Sequence, residues 1–329
     1  MKKEIILSGM RPTGKLHLGN YFGALRNWVS LQDEYECFFE VADWHALMSD
    51  YAEPGKVREN SFDMVCVWLA CGIDPKKSVI FRQSDVPEHL ELYFILSTLT
   101  PIAWLERCPT YKEALANIEG NKIRNFSFLG YPALQAADIA LYRADKVPVG
   151  VDQLPHLEFT REVVRRFNSY YDTEVMVEPD ALLTDVLKLP GTDSRKMSKS
   201  YNNTIHITED KETLEKKVLS MVTDPARIRV SDKGHPEVCS VFAYHNIFSS
   251  EATARISDEC KAAQRGCVDC KRELIENMES SLGEFRDKYL YYTENPDKVN
   301  NILDDGNRRA SERAKKNMRL FRDKMKYYG

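Results

Sequence analysis

The chain has 329 residues, a length that suits one large domain together with a smaller one. Its formal net charge of −4 excludes a protein that binds nucleic acid through overall positive charge. No apolar run approaches the roughly 18 residues of a membrane span, since the longest obvious run covers residues 64–71. The N-terminus also lacks the apolar segment of a signal peptide. These features together predict a cytoplasmic protein.

The N-terminal segment predicts a strand, a turn and a helix in that order. Residues 4–9 (EIILSG) form a short apolar run, and Pro12 and Gly14 break regular structure after it. Because the first backbone N–H groups of a helix lack partners inside the helix, such a helix start attracts phosphate. Helical spacing of apolar residues follows at Leu18, Phe22, Leu25 and Val29.

Two short polar motifs are candidates for a phosphate site. The first is HLGN, where Gly19 lets a ligand approach the backbone and where His17 and Asn20 add side-chain donors. The second is KMSKS, where Lys196 and Lys199 can place two positive charges on a polyphosphate. The alternatives are an ordinary histidine at a helix cap and a solvated basic loop. A basic loop alone does not explain the combination with a strand–turn–helix phosphate site.

The pattern along the chain predicts an α/β fold with a doubly wound parallel sheet. Helical patterns, such as that of residues 57–70, separate the strand-like runs, and this alternation is typical of parallel sheets. Strand-like runs end before about residue 203, and residues 211–221 and 271–292 are charged amphipathic stretches of helical type. The strand-like runs are residues 5–7, 37–42, 79–83, 147–149 and 173–177.

The two motifs together resemble the signature pair of class I aminoacyl-tRNA synthetases. Further stretches resemble the bacterial tryptophanyl-tRNA synthetases, with a similarity that runs from residue 5 to about residue 224 and resumes weakly near the C-terminus. These stretches are residues 9–25 (GMRPTGKLHLGNYFGAL), 131–142 (YPALQAADIALY), 147–168 (VPVGVDQLPHLEFTREVVRRFN) and 196–205 (KMSKSYNNTI).

This resemblance implies a Rossmann-like catalytic domain at residues 1–203 and a smaller all-helical domain, on the anticodon side, at residues 204–300. A C-terminal helix at about residues 301–329 would pack back on the first domain. The implied reaction activates tryptophan with ATP to tryptophanyl-adenylate and pyrophosphate, and then transfers tryptophan to the terminal adenosine of its tRNA. The implied partners are tRNA, L-tryptophan, ATP with Mg²⁺, and a second copy of the chain in a homodimer.

The resemblance also assigns residues to the ATP site. Lys196 and Lys199 would stabilise pyrophosphate as it forms, and with His17 and Asn20 they are the implied catalytic residues. Asn20 stands where the family consensus has a second histidine, which weakens any claim of two imidazoles at this site. The implied ATP-binding set is Arg11, His17, Gly19, Asn20, Gly150, Asp152, Lys196, Met197, Ser198 and Lys199.

In the implied amino-acid pocket, Asp138 would accept the indole N–H of tryptophan. It would reject phenylalanine, because a buried acceptor would then be left unpaired. The alternative for Asp138 is an acid on a helix surface. Gln135 with Tyr131 and Asp138 also fits the tyrosyl pocket pattern, so a tyrosine–tRNA ligase stays an alternative, as does a non-catalytic paralogue that binds amino acid or RNA. The implied pocket residues are Leu7, His45, Tyr131, Gln135, Asp138, Val147, Val149 and Gln153.

The eight cysteines fall into two groups. Cys37, Cys66, Cys71 and Cys108 are scattered, and we expect them to be inert core thiols. The other four have the spacing C-x20-C-x6-C-x2-C, which suits Zn²⁺ or an iron–sulfur cluster, unless they are four unrelated thiols. The resemblance favours a [4Fe–4S] cluster, found in a subset of the bacterial tryptophanyl enzymes, over Zn²⁺. The implied ligands are Cys239, Cys260, Cys267 and Cys270.

Overall fold

The computed structural model describes residues 3–109, 111–112, 125–183 and 189–327. Within these ranges, five parallel strands form a sheet with the order β3-β2-β1-β4-β5. The chain builds outward from β1 in both directions, which confirms the predicted doubly wound sheet. Such sheets bind ligands at the carboxyl ends of their strands, where the strand order reverses. The strands are β1 (Ile5–Met10), β2 (Glu36–Val41), β3 (Ser78–Arg82), β4 (Lys146–Val149) and β5 (Asp180–Leu183).

The first helix, α1, begins at Leu18 as predicted but has an irregular middle. It runs without interruption through Leu18–Asn20, the π-helical turn Tyr21–Leu25 and Arg26–Leu31. π-Helical turns inside α-helices occur frequently at functional sites. The helices that follow are α2 (Asp43–Asp50), α3 (Pro54–Ala70), α4 (Glu88–Leu99), α5 (Ile102–Glu106), α6 (Phe126–Leu141), α7 (Leu154–Tyr170), α8 (Lys211–Ser220), α9 (Ser240–Phe248), α10 (Thr253–Lys261), α11 (Cys267–Glu294) and α12 (Pro296–Met325).

The strand predicted at residues 173–177 is wrong. This segment is a loop, because the side chain of Asn168 takes up the backbone hydrogen bonds of Met176. The Met176 N–H donates to Asn168 Oδ1 at 3.2 Å, and Asn168 Nδ2 donates to the Met176 carbonyl at 2.9 Å. A backbone that is paired with a side chain cannot also join a strand ladder. The fifth strand begins only at Asp180, where the chain pairs with β4.

The C-terminal helix α12 lies against the sheet. Its Gly306 passes so close to β3 that an added Cβ atom would lie 1.8 Å from the carbonyl oxygen of Ile80. Only glycine permits this approach of helix and strand. Further along α12, the buried apolar residues are Ala310, Ala314, Met318 and Phe321, which share a core cluster with the sheet.

Residues on both sides of the predicted domain boundary share one buried core. Ile205 and Leu214 follow residue 203, and they belong to the same cluster as Trp28 and Met64 of the sheet domain. The boundary itself stays a prediction. Among the helices of the described ranges, none is both long and apolar enough to cross a membrane.

Candidate active site

A cavity of about 670 Å³ lies at the carboxyl ends of β1, β2 and β4. Gly9 near the end of β1, Ala42 after β2 and Gly150 after β4 contribute to its wall. The cavity therefore occupies the position where doubly wound sheets bind ligands. The residues assigned to ATP or tryptophan from the sequence that line it are Leu7, Arg11, Gly19, Asn20, His45, Tyr131, Gln135, Asp138, Val147, Val149, Gly150, Asp152 and Gln153.

His17 forms the N-terminal cap of α1 beside this cavity. Its backbone N–H donates to Asn20 Oδ1 at 3.0 Å, so Asn20 fixes the helix start as well as lining the cavity. The Nδ1 atom of His17 is buried and has no hydrogen-bond partner among the described residues. Burial, followed by the positive charge of Lys199, lowers the pKa of His17 to about 4. The imidazole is therefore neutral at pH 7 and can serve phosphate as a hydrogen-bonding group.

Gly19 leaves room for the ring of His17. A Cβ atom on Gly19 would lie 2.9 Å from both Cε1 and Nδ1 of that ring, which is closer than real Cβ contacts. The sequence predicts that Gly19 admits a ligand to the backbone. The structure shows that the imidazole already occupies this side, so the glycine sets the position of a neighbouring side chain.

The KMSKS motif meets the HLGN turn in space. Met197 is buried, and its sulfur would lie 3.7 Å from a Cβ atom on Gly19. The ammonium group of Lys199 donates to the carbonyl oxygens of Thr13, at 3.2 Å, and Gly14, at 2.9 Å. Desolvation in this crevice is the main cause that lowers the pKa of Lys199. Two motifs that are far apart in the chain thus form one surface next to the cavity.

Asn203 holds the rest of the KMSKS segment in place. Its buried side chain accepts the Ser198 N–H at 2.8 Å and donates to Asp193 Oδ1 at 2.7 Å and to the Lys196 carbonyl at 3.1 Å. Gly191 is required beside it, because a Cβ atom there would lie 2.2 Å from Asn203 Nδ2. Lys196 is exposed, and neither it nor Ser198 lines the cavity.

Asp138 lies on α6 in the cavity wall, and only 4% of it is exposed. His45 Nε2 lies 2.9 Å from Oδ2, and His89 Nδ1 lies 2.7 Å from Oδ1. Gln83 Nε2 donates to both oxygens, at 2.9 and 3.0 Å. Burial alone would raise the pKa of Asp138, but the hydrogen bonds from His45 and His89 outweigh it and hold the value at about 2. The pocket therefore contains a fixed, ionised acceptor.

Tyr131 lies on the same helix and belongs to a second polar network. Its hydroxyl oxygen lies 2.6 Å from His156 Nε2 and 3.1 Å from the sulfur of Cys108. Cys108 in turn lies 3.3 Å from His156 Nε2. Gln135, one turn further along α6, faces the cavity as well. The network holds the tyrosine ring against the cavity wall.

Four further polar residues of this site are not among those predicted from the sequence. Gln83 and His89 hold Asp138, His156 holds Tyr131, and Glu40 lines the cavity. A signal existed for Glu40, because it is an acid inside the apolar strand β2. No local signal could reveal Gln83 or His89, since their role depends on how β3 and α4 pack against α6.

The four scattered cysteines are buried, as predicted. Burial raises the pKa of Cys37, Cys66 and Cys71 to about 12, so these thiols stay protonated. Cys108 differs from them through its contacts with Tyr131 and His156.

The other four cysteines converge in the helical part of the chain. Cys239 caps α9, Cys260 lies near the end of α10, and Cys267 and Cys270 begin α11. All four are partly buried. Burial is the main cause that raises the pKa of Cys270 to about 12, and negative charge on the other three thiols would raise it further.

Positive side chains surround this cysteine cluster. Arg227 Nη1 donates to the sulfur of Cys260 at 3.7 Å. Arg265 lowers the pKa of Cys270, and Lys271 interacts with the charges of Cys267, Cys239 and Cys270. No three of the four sulfur atoms lie within 4.8 Å of one another in the described part of the chain. The cluster is therefore an open set of thiols with nearby positive charge.

Residues 1–283 match the family model of class I tRNA synthetases (W and Y). The tryptophan–tRNA ligase of Thermotoga maritima is 50% identical over 323 residues, which cover 97% of this chain and 98% of that protein. The Aquifex aeolicus tryptophan–tRNA ligase is 40% identical in an alignment of 391 positions that covers 97% of this chain and 99% of the relative. The chain therefore belongs to the class I tRNA synthetases of the tryptophan and tyrosine family.

Solved structures agree with this membership. Tryptophanyl-tRNA synthetase from Campylobacter jejuni, complexed with ADP and tryptophan, matches with a TM-score of 0.90 at 35% identity and covers 98% of this chain and 99% of its own. A tyrosyl-tRNA synthetase from Archaeoglobus fulgidus shares the fold at 20% identity, with a TM-score of 0.67 over 88% of this chain and 90% of its own. The chain is an aminoacyl-tRNA synthetase, and its relatives at 40–50% identity are tryptophan–tRNA ligases.

Proposed function

We propose that the chain is a tryptophan–tRNA ligase, which activates tryptophan with ATP and transfers it to the terminal adenosine of its tRNA. The observation that carries this proposal is the continuous cavity that joins the HLGN turn to the Asp138 pocket. The carboxylate of the amino acid must reach the α-phosphate of ATP, so both substrates need one shared site.

The chain promotes the first step by positioning the substrates and by stabilising developing charge. The tryptophan carboxylate attacks the α-phosphate, and the bond to pyrophosphate breaks. Mg²⁺ bound to ATP supplies further charge compensation. The phosphates and adenosine are proposed to bind to His17, Gly19 and Asn20. The ribose is proposed to bind to Gly150 and Asp152, and the leaving pyrophosphate is stabilised by Lys196 and Lys199. The remaining residues of the proposed ATP site are Arg11, Met197 and Ser198.

The amino-acid side chain is proposed to lie against Asp138. The fixed carboxylate would accept the indole N–H, while Leu7, Val147 and Val149 would contact the apolar ring. His45, Tyr131, Gln135 and Gln153 complete the proposed pocket. Tyrosine is the competing substrate, since Gln135 with Tyr131 also fits a tyrosyl pocket.

ATP–pyrophosphate exchange tests the substrate directly. We expect exchange to depend on tryptophan, and tRNA charging to accept tryptophan and not tyrosine. Exchange driven by tyrosine alone would replace the proposal by a tyrosine–tRNA ligase. No exchange with any amino acid, despite ATP binding, would indicate a non-catalytic paralogue.

Replacing Gly19 with alanine should slow adenylate formation at least about tenfold, because the new Cβ atom forces the His17 ring out of position. Stability should change little, since the helix preference of alanine over glycine, about 0.5–1 kcal/mol, offsets part of the cost of moving the ring. The matched control is Gly283→Ala in α11, where nothing lies within 4 Å of the new Cβ atom. Single-turnover adenylate formation and thermal unfolding of both variants check this. Normal adenylate formation by Gly19→Ala would mean that the position of the His17 ring is unimportant.

The cysteine cluster is proposed to bind one [4Fe–4S] cluster through Cys239, Cys260, Cys267 and Cys270, with Zn²⁺ as the alternative. Four thiolates suit either group, and Arg227, Arg265 and Lys271 can offset the negative charge of the thiolates and the bound group. The cluster is preferred over Zn²⁺ because the cysteine spacing resembles that of a subset of the bacterial tryptophanyl enzymes. The bound group would tie α9, α10 and α11 together and so stabilise the helical region.

Replacing Cys267 or Cys270 with serine should therefore remove iron and sulfide and lower the unfolding temperature. We expect tRNA charging to suffer more than adenylate formation, because the cysteines do not line the cavity. The control is Cys71→Ala, which removes a buried thiol elsewhere and should leave the iron content unchanged. Anaerobically prepared protein is assayed for iron, sulfide and zinc. One equivalent of zinc without iron would reject the cluster, and absence of both metals would reject the site.

The proposed assembly is a homodimer in the cytoplasm, with residues 204–300 as the domain that meets the anticodon side of the tRNA. These assignments rest on the family membership and on the reaction. Sedimentation of the purified protein tests the dimer, and a particle with the mass of one chain would reject it.

A further inference from the structure

Glu40 is a buried acid that the reaction described above does not use. It lies in β2 opposite Gly9 of β1, and only 2% of it is exposed. Neither of its carboxyl oxygens has a hydrogen-bond partner within the described residues. Both Glu40 and Gly9 line the cavity, and a Cβ atom on Gly9 would lie 3.4 Å from the Cβ atom of Glu40. An oxygen of the unpaired carboxyl group lies within 4.8 Å of ligand atoms of His89 and Asp138, so the group is part of the wall next to Asp138.

Burial and nearby negative charge favour the protonated form of Glu40. Burial, followed by the negative charges of Asp138 and Asp43, raises the pKa of Glu40 well above its ordinary value. Asp138 is the ionised member of the pair, because His45 and His89 donate to it. A protonated carboxyl group has a carbonyl oxygen that accepts hydrogen bonds and an O–H that donates. The wall of the cavity thus combines the charged acceptor of Asp138 with an acid whose neutral form is favoured.

A metal ion does not explain this arrangement. Glu40, His89 and Asp138 have atoms within 4.8 Å of one another that could bind a cation. However, His89 lies 2.7 Å from Asp138 through Nδ1 and 2.9 Å from the Tyr142 hydroxyl through Nε2. Both ring nitrogens are therefore engaged. The carboxyl group of Glu40 alone is left to meet a ligand.

Asp138 is already well supplied with donors. His45, Gln83 and His89 approach its two oxygens in four contacts of 2.7–3.0 Å. A carboxylate offers about four lone-pair positions, so the indole N–H would share the Asp138 oxygens with these donors. The indole N–H is the single polar group of the tryptophan ring, and a buried N–H without a full partner weakens binding.

We propose that Glu40 is a specificity-determining residue of the pocket, whose carbonyl oxygen accepts the indole N–H together with Asp138. This inference rests on the proposed use of tryptophan. A buried acid without a partner is unfavourable in the free protein, and the substrate supplies the missing donor. Glu40 thus adds to binding at the cost of stability.

The test compares Glu40→Met, which removes the polar group at similar size, with Glu40→Gln, which keeps a neutral acceptor and donor. We expect Glu40→Met to raise KM for tryptophan about tenfold or more, with kcat and KM for ATP close to wild type. Its unfolding temperature should rise, because an unpaired buried acid is removed. Glu40→Gln should bind tryptophan nearly as well as wild type. A merely structural role would not combine weaker binding with higher stability.

A substrate analogue separates hydrogen bonding from shape. In β-(3-benzothienyl)alanine a sulfur atom replaces the indole N–H, so the preference for tryptophan over it should shrink about tenfold in Glu40→Met. The control is Ser61→Ala, which removes a buried hydroxyl bonded to Val57 O at 2.7 Å, outside the cavity. Unchanged tryptophan KM in Glu40→Met, or equal losses in both Glu40 variants, would overturn the role of Glu40. Wild-type exchange without response to tryptophan would instead overturn the proposed function.

Discussion

Replacing Asp138 with asparagine should lower kcat/KM for tryptophan by about 10- to 100-fold while ATP binding survives. Hydrogen bonds to a charged group contribute about 1.5–3 kcal/mol each. Asparagine keeps the size of the side chain but loses the charge, and its NH₂ group would face donors from His45, Gln83 or His89. The amino-acid pocket therefore loses its charged acceptor and also the hydrogen bonds that hold the side chain at position 138 in place. Steady-state exchange kinetics and equilibrium binding of ATP measure the two effects separately.

Asp224→Asn is the matched control for Asp138→Asn. Asp224 is also 4% exposed, and its oxygens accept the Ala226 N–H at 2.9 Å and the His235 N–H at 2.8 Å. It does not line the cavity. We expect this variant to lose stability without a change in KM for tryptophan. Equal tryptophan kinetics in wild type and Asp138→Asn would remove Asp138 from the pocket.

Replacing Lys199 with alanine should slow adenylate formation by about 10²–10³-fold, the range seen when one donor to developing charge is removed. Charge moves onto pyrophosphate as the bond breaks, so the contact with an ammonium group strengthens in the transition state. Ground-state ATP binding should weaken much less. The variant also loses the link from the KMSKS segment to the carbonyl groups of Thr13 and Gly14.

Single-turnover rates and ATP dissociation constants of the Lys199 variant separate these effects. The control is Lys216→Ala, which removes an equal charge from the exposed face of α8, where Lys216 pairs with Glu212. That variant should resemble wild type in both measurements. Equal losses of rate and ATP affinity in Lys199→Ala would mean that Lys199 binds ATP equally well in the ground state and in the transition state.

The local pattern of apolar residues was sufficient to predict most strands of the sheet. The buried strands β1 to β4 are short apolar runs between helical patterns, and the order of these patterns in the chain implies a parallel sheet. The prediction for residues 173–177 failed because the side chain of Asn168, only eight residues earlier in the chain, satisfies the backbone of Met176. The alternation of apolar and polar side chains cannot reveal such a hydrogen bond, because the bond depends on where the last turn of α7 lies.

The same distinction between local sequence pattern and tertiary contacts holds for the active site. The residue types of HLGN and KMSKS were enough to predict phosphate binding, whereas the role of Asp138 as a hydrogen-bond acceptor in the pocket was implied by the resemblance to the family. The sequence by itself therefore determined the chemistry, because donor, acceptor and charge belong to each side chain. Only the tertiary structure decided the positions and the ionisation states of those groups. Packing places His17 over Gly19, Lys199 on Gly14, and both Glu40 and His89 beside Asp138. Burial and neighbouring charge then set which of these acids is ionised, and both depend on contacts between residues that are distant in the chain.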